Sequence, residues 1–323
     1  METVTPTSSL KARWQRWRAQ VARHRLAYLM IAPTLFAMLL VHLVPTVEAL
    51  YMSMLDLNQY TLGLFLKAPF IGLDNYRFLL FSPDNPIVRG LGQATRNTLI
   101  YSVVVNAVTL GLGMVTALLL NRRFWWRGLA RTLILMPWVV PTYAVGLLWG
   151  MMWLRERGII NIILVDWLHL MDQRPFWLIG PNTLWAIIIP TIWRQLPFST
   201  IMLLSALQTV PEDLYDAAVV DGASLWQRFR HITLPWIKPV VAIMLLWGMI
   251  FTFFGYNIVV MMFGNGGGYP GEWGDLLMPA LERQSFRYWL FGLGAAASTL
   301  MMFGMMFFVF LWYRIFQSSL TQE

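Results

Sequence analysis

The sequence predicts an all-α, polytopic membrane protein with six transmembrane helices. Of its 323 residues, 58% are hydrophobic and only 12% are charged, whereas about a quarter of the residues of a soluble domain are charged. Apolar runs of about 20 residues or more are long enough to cross a bilayer as helices. We predict six such spans, at residues 27–52, 96–120, 130–153, 183–208, 237–262 and 289–316.

A basic arm at residues 1–26 precedes the first span. Its positive residues are Lys11, Arg13, Arg16, Arg18, Arg23 and Arg25. The apolar run that follows is too long for the core of a cleavable signal peptide. We therefore expect one transmembrane domain at 27–316, surrounded by lipid, and a short tail at 317–323.

The distribution of arginine predicts the orientation. Four arginines crowd the loop between the second and third spans: Arg122, Arg123, Arg127 and Arg131. Because positive residues gather in cytoplasmic loops, this loop, the arm and the tail are all predicted to be cytoplasmic. The same bias accounts for the formal net charge of +8, so no nucleic-acid partner is predicted.

The residue types exclude several kinds of site. No cysteine is present, so the chain has no disulfide, no thiolate metal ligand and no cysteine nucleophile. The four histidines are scattered without the spacing of metal ligands, at His24, His42, His169 and His231. No metal site is predicted on histidine.

Two close pairs of prolines lie in the predicted third and fourth spans: Pro137 with Pro141, and Pro190 with Pro197. Proline removes a backbone donor and kinks a helix. In a membrane such kinks persist where neighbouring helices or a water-filled cavity satisfy the freed carbonyls. Simple bending is the better explanation of any single proline, but two close pairs together favour helices that line a pathway.

The polar loop at residues 209–235, which we call the elbow, lies between the fourth and fifth spans. Pro211 suits a first helical turn, and Glu212 and Asp213 complement the positive end of the helix dipole. Gly222 is predicted to end this helix in a left-handed conformation. Such a loop is suited to docking a partner, although an ordinary amphipathic connector between two spans has the same signals.

A second short helix is predicted in the elbow. Ser224 and Gln227 have the spacing of a capping box, in which each side chain bonds a backbone amide of the other residue. Pro235 is predicted to end this helix. The elbow is therefore expected to contain two helices joined at a glycine.

The elbow resembles the coupling loop of binding-protein-dependent ABC importers. Residues 216–223 read Asp-Ala-Ala-Val-Val-Asp-Gly-Ala, and 232–235 read Ile-Thr-Leu-Pro. The family has Glu where this chain has Asp216, so an ion pair with the ATPase subunit is expected to be longer or replaced. The resemblance implies that an ATPase subunit is contacted by Glu212, Tyr215, Asp216, Ala217, Ala218, Asp221, Gly222 and Ala223.

The resemblance extends along almost the whole chain. Further matching segments are residues 31–33 (Ile-Ala-Pro), 72–76, 97–101, 137–141 (Pro-Trp-Val-Val-Pro), 158–161 and the Gly-rich 265–268. Together they look most like the larger permease subunit of a maltose-type transporter, without its inserted outer domain. The Gly-rich segment departs from the family pattern, because Tyr269 stands before Pro270.

The resemblance implies the fold and the partners. The expected fold is that of an ABC type I importer permease in a prokaryotic inner membrane. The expected partners are a second permease subunit, two ATPase subunits and an extracytoplasmic solute-binding protein, which would contact outer loops such as 263–275. The chain lacks the phosphate-binding pattern Gly-x-x-x-x-Gly-Lys-Ser/Thr, so ATP and Mg²⁺ are expected in the ATPase subunits and no cofactor in this chain.

Two polar helix faces predict where a substrate binds. Spacings of three, four and seven residues place side chains on one helical face. On the fourth span this face comprises Thr191, Arg194, Gln195 and Phe198. On the fifth it comprises Thr252, Phe253 and Tyr256, with Asn257 beside them. Polar groups there favour a cavity, although they also bond neighbouring helices, and Arg194 can pair with an acid of a partner subunit.

We therefore predict the permease subunit of an ATP-driven importer for maltose- or trehalose-type sugars, which works by alternating access and is not an enzyme. Three alternatives remain. Arg194 also suits a phosphorylated solute such as glycerol phosphate. Asp213, Asp216 and Asp221 suit Mg²⁺ in an integral-membrane transferase. A passive channel would carry solute without nucleotide.

Overall fold

The computed structural model describes Trp14, Trp17 and residues 22–263 and 269–320. Most of the predicted basic arm, the centre of the Gly-rich outer loop and the last three residues lie outside this part. The described residues are mostly helical, and an isolated bridge between Leu55 and Phe70 is their only β-type pairing. The prediction of an all-α fold is therefore confirmed.

The α-helices of the described residues are labelled in chain order. They are α1 (Arg25–Met52), α2 (Asp74–Phe81), α3 (Pro86–Asn121), α4 (Arg127–Val139), α5 (Thr142–Met152), α6 (Ile159–Asn161), α7 (Thr183–Leu207), α8 (Glu212–Val220), α9 (Leu225–Phe253), α10 (Asn257–Met262), α11 (Leu277–Glu282) and α12 (Phe291–Leu320). Short π-helical turns lie within α1 and α9 and directly follow α6 and α11.

Five of these helices, α1, α3, α7, α9 and α12, are each long and apolar enough to cross a membrane. The pair α4 and α5 meets the same criterion only when the two are taken together, and they are bent by 91°. Val140 is extended, as a residue before proline prefers, and Pro141 precedes α5. With this pair counted as one span, the number of spans equals the predicted six.

The second proline pair behaves differently, because Pro190 and Pro197 both lie inside the unbroken helix α7. A proline at position 190 leaves the carbonyl of Ala186 without its usual helical donor. The indole nitrogen of Trp153 donates to that carbonyl at 3.1 Å. A neighbouring side chain thus satisfies the acceptor inside the bilayer, where no water is available.

Three predicted boundaries were wrong. The fifth span ends at Phe253, nine residues before the predicted limit, because the backbone leaves the helix at Phe254–Tyr256 and starts the separate helix α10. Pro235 does not end a helix. It lies at the start of a regular helical segment that follows a π-helical turn at Phe229–Thr233, where a missing backbone donor costs little. The other boundary is that of α3, which begins ten residues earlier than predicted.

Two apolar clusters hold the spans together. The first surrounds Val105, Val145 and Ile187 and joins α3, α5, α7 and α10. The second, which we call the elbow-side cluster, joins α3, α4, α7 and α9 near the elbow. It comprises Ala117, Leu120, Ala130, Leu203, Leu204, Ala206, Leu207, Val210, Ile237 and Met244. Helix α1, in contrast, contains no buried residue, and its last third packs against α12.

Gly146 sets how closely α5 and α10 approach. A Cβ atom at Gly146 would lie 2.6 Å from the carbonyl oxygen of Ile258 and 2.8 Å from the Cβ of Met261. We predict that Gly146→Ala lowers the free energy of unfolding by about 1–3 kcal/mol, as overpacking does. Gly111→Ala is the matched control, since no atom lies within 4 Å of its Cβ position. Thermal unfolding of both variants in detergent measures the difference, and equal midpoints would contradict it.

Candidate functional site

Helix α8 rests on the elbow-side cluster through Tyr215. The tyrosine ring packs against the cluster, and its hydroxyl lies 2.8 Å from the Oγ1 of Thr233 at the base of α9. Thr233 is buried, whereas α8 itself contains no fully buried residue. A helix of nine residues is too short to be stable alone, so this contact with α9 and the cluster is what positions α8.

The end of α8 has the geometry that the sequence predicts. Gly222 adopts a left-handed φ of 76°. Its amide donates to the carbonyl of Val219 at 3.0 Å, and the amide of Ala223 donates to Ala218 at 2.8 Å. These two bonds form a Schellman motif, which satisfies carbonyls that the helix leaves free.

The second elbow helix starts as predicted. The Ser224 side chain accepts from the Gln227 amide at 3.3 Å, and the Gln227 side chain accepts from the Ser224 amide at 2.7 Å. The capping box is therefore confirmed. The two helices meet at Gly222 as the predicted glycine joint, and α9 then continues into the membrane.

The solvent-exposed face of the elbow carries acidic and apolar side chains. Glu212, Asp216 and Asp221 are exposed, and none of them takes part in an ion pair within the described part of the chain. Val220 and Trp226 beside them are 87% and 65% exposed. In the described residues no three His, Asp or Glu side chains come together to hold a metal ion. This face offers carboxylates and apolar contacts to a partner surface.

A first cavity of about 350 Å³ lies among α3, α7 and α9, beside the break after Phe253. Phe254, Tyr256 and Asn257 line it from the break, and Thr191 lines it from α7. Irregular backbone within a membrane occurs where it borders protein or a water-filled space. The break therefore forms a wall of this cavity.

A second cavity of about 230 Å³ lies nearer the elbow and contains the predicted residues Arg194, Gln195 and Phe198. Trp247 and Phe251 line both cavities, so the two adjoin. The ring of Phe198 stacks on Trp138, with centroids 6.0 Å apart and planes at 23°. Aromatic faces and polar groups together suit the two kinds of surface on a sugar ring.

The polar groups of the second cavity are incompletely paired. Arg194 donates through Nε to the carbonyl of Val140 at 3.4 Å. The Nε2 atom of Gln195 is buried and has no hydrogen-bond partner in the described part of the structure. A buried donor without a partner costs free energy, and a hydroxyl of a bound solute would satisfy it.

Of the predicted face of α9, Thr252 and Phe253 do not line either cavity. Thr252 is 1% exposed, and its hydroxyl bonds the carbonyl of Gly248 and accepts from Asn106, so it joins α9 to α3. Phe253 packs against an apolar cluster that includes Leu91 and Leu277.

The side of α9 that faces the cavities is formed instead by Trp247, Ile250 and Phe251. Tyr256 and Asn257 reach the first cavity because the backbone leaves the helix after Phe253.

Several residues of the cavities were missed, among them Tyr101, Trp138 and Asn106. Tyr101 bonds Thr191 at 3.1 Å and lines the first cavity, and Trp138 and Asn106 line the second. Tyr101 and Trp138 both lie in segments that resemble the importer family, and this resemblance could have identified them from the sequence. Asn106 had a second signal, because a polar amide within an apolar span requires a partner.

The loop 269–276, which the sequence predicts to face outward, is tied to the spans by buried polar contacts. Asp275 is buried and paired with Arg283, whose guanidinium also lies 4.4 Å from the ring centre of Tyr269. Burial raises the pKa of the Asp275 carboxyl, and the hydrogen bond from Arg283 counteracts this. Asn97 of α3 donates to the carbonyls of Glu272 and Asp275. Of the predicted contact region 263–275, residues 264–268 lie outside the described part.

The sequence is similar to those of known transport proteins. Residues 109–322 match the family model described as binding-protein-dependent transport system inner membrane component. The trehalose/maltose transport system permease protein MalF of Thermococcus litoralis is 33% identical over 281 residues, which cover 85% of this chain and 88% of that protein. The trehalose transport system permease protein SugA of Mycobacterium tuberculosis is 30% identical over 307 residues, covering 95% and 93%.

A solved structure has the same fold. One chain of a bacterial ABC transporter involved in the import of the acidic polysaccharide alginate superposes with a TM-score of 0.78. The alignment covers 95% of this chain and 100% of that chain, at 22% identity. At this identity the likeness shows the fold alone.

The hydrogen bond between Tyr215 and Thr233 predicts how firmly α8 is held. Tyr215→Phe keeps the packing and removes the hydroxyl, a loss of about 0.5–1.5 kcal/mol. We predict that amides of α8 exchange hydrogen several-fold faster in this variant, as hydrogen–deuterium exchange with mass spectrometry would measure. The exposed Tyr313→Phe in α12 is the control. Unchanged exchange in Tyr215→Phe would show that the bond does not hold the helix.

Proposed function

The chain belongs to the family of binding-protein-dependent transport system inner membrane components, and from this premise we propose that it is the permease subunit of an ATP-driven sugar importer. It provides the path through the membrane, and companion subunits bind and hydrolyse ATP with Mg²⁺. The observation that carries the proposal is the pair of adjoining cavities between the spans, with an exposed elbow on the same helices.

A sugar is the substrate that the cavities fit best. The cavity walls combine a buried unpaired amide donor at Gln195, a hydroxyl group at Tyr256, and the stacked rings of Trp138 and Phe198. Hydroxyls of a sugar supply the missing acceptors, and its apolar ring faces cover the aromatic walls. The names of the relatives, which specify trehalose and maltose, support the same class.

The elbow is the site at which an ATPase subunit docks. Glu212, Asp216 and Asp221 offer free carboxylates, while Ala217 and Ala218 allow close approach. When ATP closes the ATPase pair, movement of α8 passes through Tyr215 into the elbow-side cluster and so into the helices α3, α4, α7 and α9. The spans then re-orient around the cavities in alternating access.

A second permease subunit completes the path. Helix α1 is apolar along its length and buries no residue within this chain, which suits packing against a companion subunit in the membrane. Both termini lie in the cytoplasm, in agreement with the arginine-rich loop at 121–131. A solute-binding protein then delivers the sugar at the opposite face, near the loop 269–276.

Three rival functions make different predictions. A glycerol phosphate importer would use Arg194 as the partner of the phosphate, so competition of uptake by glycerol phosphate distinguishes it from a sugar importer. A passive channel would carry solute into vesicles without nucleotide. A Mg²⁺-dependent transferase would need acidic residues that converge, and Asp213, Asp216 and Asp221 show no such cluster.

The glycine joint predicts a loss of coupling. Valine at Gly222 must adopt a φ of 76°, which strains the backbone by about 1–2 kcal/mol. We expect Gly222→Val to reduce sugar uptake by more than tenfold while ATP hydrolysis by the assembled transporter continues. Gly180→Val is the control, because Gly180 has a φ of 80° and equally open surroundings on the outer side. Equal uptake by the two variants would refute the role of the joint.

The second cavity predicts the substrate contacts. Gln195→Leu keeps the size of the side chain and removes the buried donor. We expect the KM for uptake to rise about tenfold, because the variant loses one hydrogen bond to a solute hydroxyl. Phe253→Leu is the control, since Phe253 lies outside both cavities. Uptake at several sugar concentrations measures both. A shift for Phe253→Leu without one for Gln195→Leu would place the sugar elsewhere.

A further inference from the structure

A groove of about 660 Å³ opens beside the elbow, between the end of α3 and the start of α4. Leu119 and Leu133 form part of its apolar floor, and Arg122, Arg123 and Trp126 stand at its rim. The two leucines are exposed to the surroundings. The groove is separate from the two cavities, with which it shares no lining residue.

The rim has positive charge that no acid balances. Arg122 and Arg123 are both exposed, and neither belongs to an ion pair among the described residues. The sequence contains no acidic residue between Asp84 and Glu156. The rim therefore attracts a negatively charged group.

Aromatic side chains mark the level of the rim in the membrane. Trp125 is 95% exposed and Trp126 is 48% exposed. The ring of Phe124 meets that of Trp126 edge-on at 5.2 Å. Tryptophan concentrates where the hydrocarbon of a bilayer meets the headgroups, so the rim lies at headgroup level and the leucine floor lies in the hydrocarbon.

We propose that this groove binds a phospholipid with an anionic headgroup, taken from the leaflet on the elbow's side. The phosphate lies against Arg122 and Arg123, and an acyl chain lies along Leu119 and Leu133. Basic rims above apolar grooves recognise anionic lipids by this combination of charge and burial.

The bound lipid supports the base of the elbow. Leu120 and Ala130 line the groove and also belong to the elbow-side cluster, on which Tyr215 packs. The remaining arginines of the loop, Arg127 and Arg131, are turned inward, where each reaches the carboxamide oxygen of Gln208 at 3.1–3.2 Å in its bonding orientation. Arg127 and Arg131 therefore hold the loop in place, while Arg122 and Arg123 hold the lipid.

Native mass spectrometry tests the proposal on the full-length chain, purified with the subunits that remain bound to it. Phosphatidylglycerol and phosphatidylcholine are titrated separately. We expect tighter retention of phosphatidylglycerol, and a loss of about 30-fold in its affinity for Arg122→Gln/Arg123→Gln. The control Arg96→Gln/Arg157→Gln removes two exposed arginines far along the chain from the groove and should change the affinity less than twofold.

A groove-filling variant separates binding in the groove from attraction to a charged surface. Leu133→Trp leaves both arginines and should also weaken the retention of phosphatidylglycerol. Equal affinity for the two lipids, an equal loss in the control, or no effect of Leu133→Trp would overturn the proposal. Loss of a companion subunit from Leu133→Trp with lipid retention unchanged would also overturn it, because the groove would then be a subunit interface.

Discussion

The elbow-side cluster is the contact on which the rest of the structure depends. Leu120 of α3, Ala130 of α4 and Leu203 of α7 meet there, and Ile237 joins them from α9. Such close packing transmits displacement, because packed interiors have low compressibility. Helix α8 has no core of its own and lies against this cluster through Tyr215. A force applied at the exposed face of α8 therefore reaches several spans at once.

Hydrogen bonding inside the bilayer imposes the second constraint. Without water, each buried polar group needs a partner within the protein. Asn106 with Thr252, Tyr101 with Thr191, and Trp153 with the carbonyl of Ala186 all meet this requirement. These bonds join helices and are structural. Gln195 and Thr109, in contrast, each leave a buried polar atom unpaired beside the second cavity in the described part of the chain. The missing partner makes these two residues candidates for binding a solute.

Much of this arrangement could be predicted from the sequence. Span number and position follow from length and composition, because a bilayer sets the length of an apolar helix. The capping box and the stop at Gly222 follow from local backbone chemistry. The break after Phe253 was missed because the apolar run resumes at Ile258–Met262, although Gly255 is a residue type that commonly ends a helix. Thr252 and Phe253 were assigned to the binding face because a polar helix face was taken to mark it. Thr252 turns instead to α3, and the apolar Trp247, Ile250 and Phe251 face the cavities.

Distances between spin labels test most directly whether α8 moves together with the spans. The chain has no cysteine, so spin labels can be attached at Val220→Cys and Leu119→Cys, both at exposed positions, in the assembled transporter. Pulsed electron paramagnetic resonance then measures the distances between labels with and without an ATP analogue. The account predicts that the Val220–Leu119 distance stays constant, while the distance from Val220 to the matching position of the second permease subunit changes. A change within the chain, with the distance between subunits constant, would contradict it.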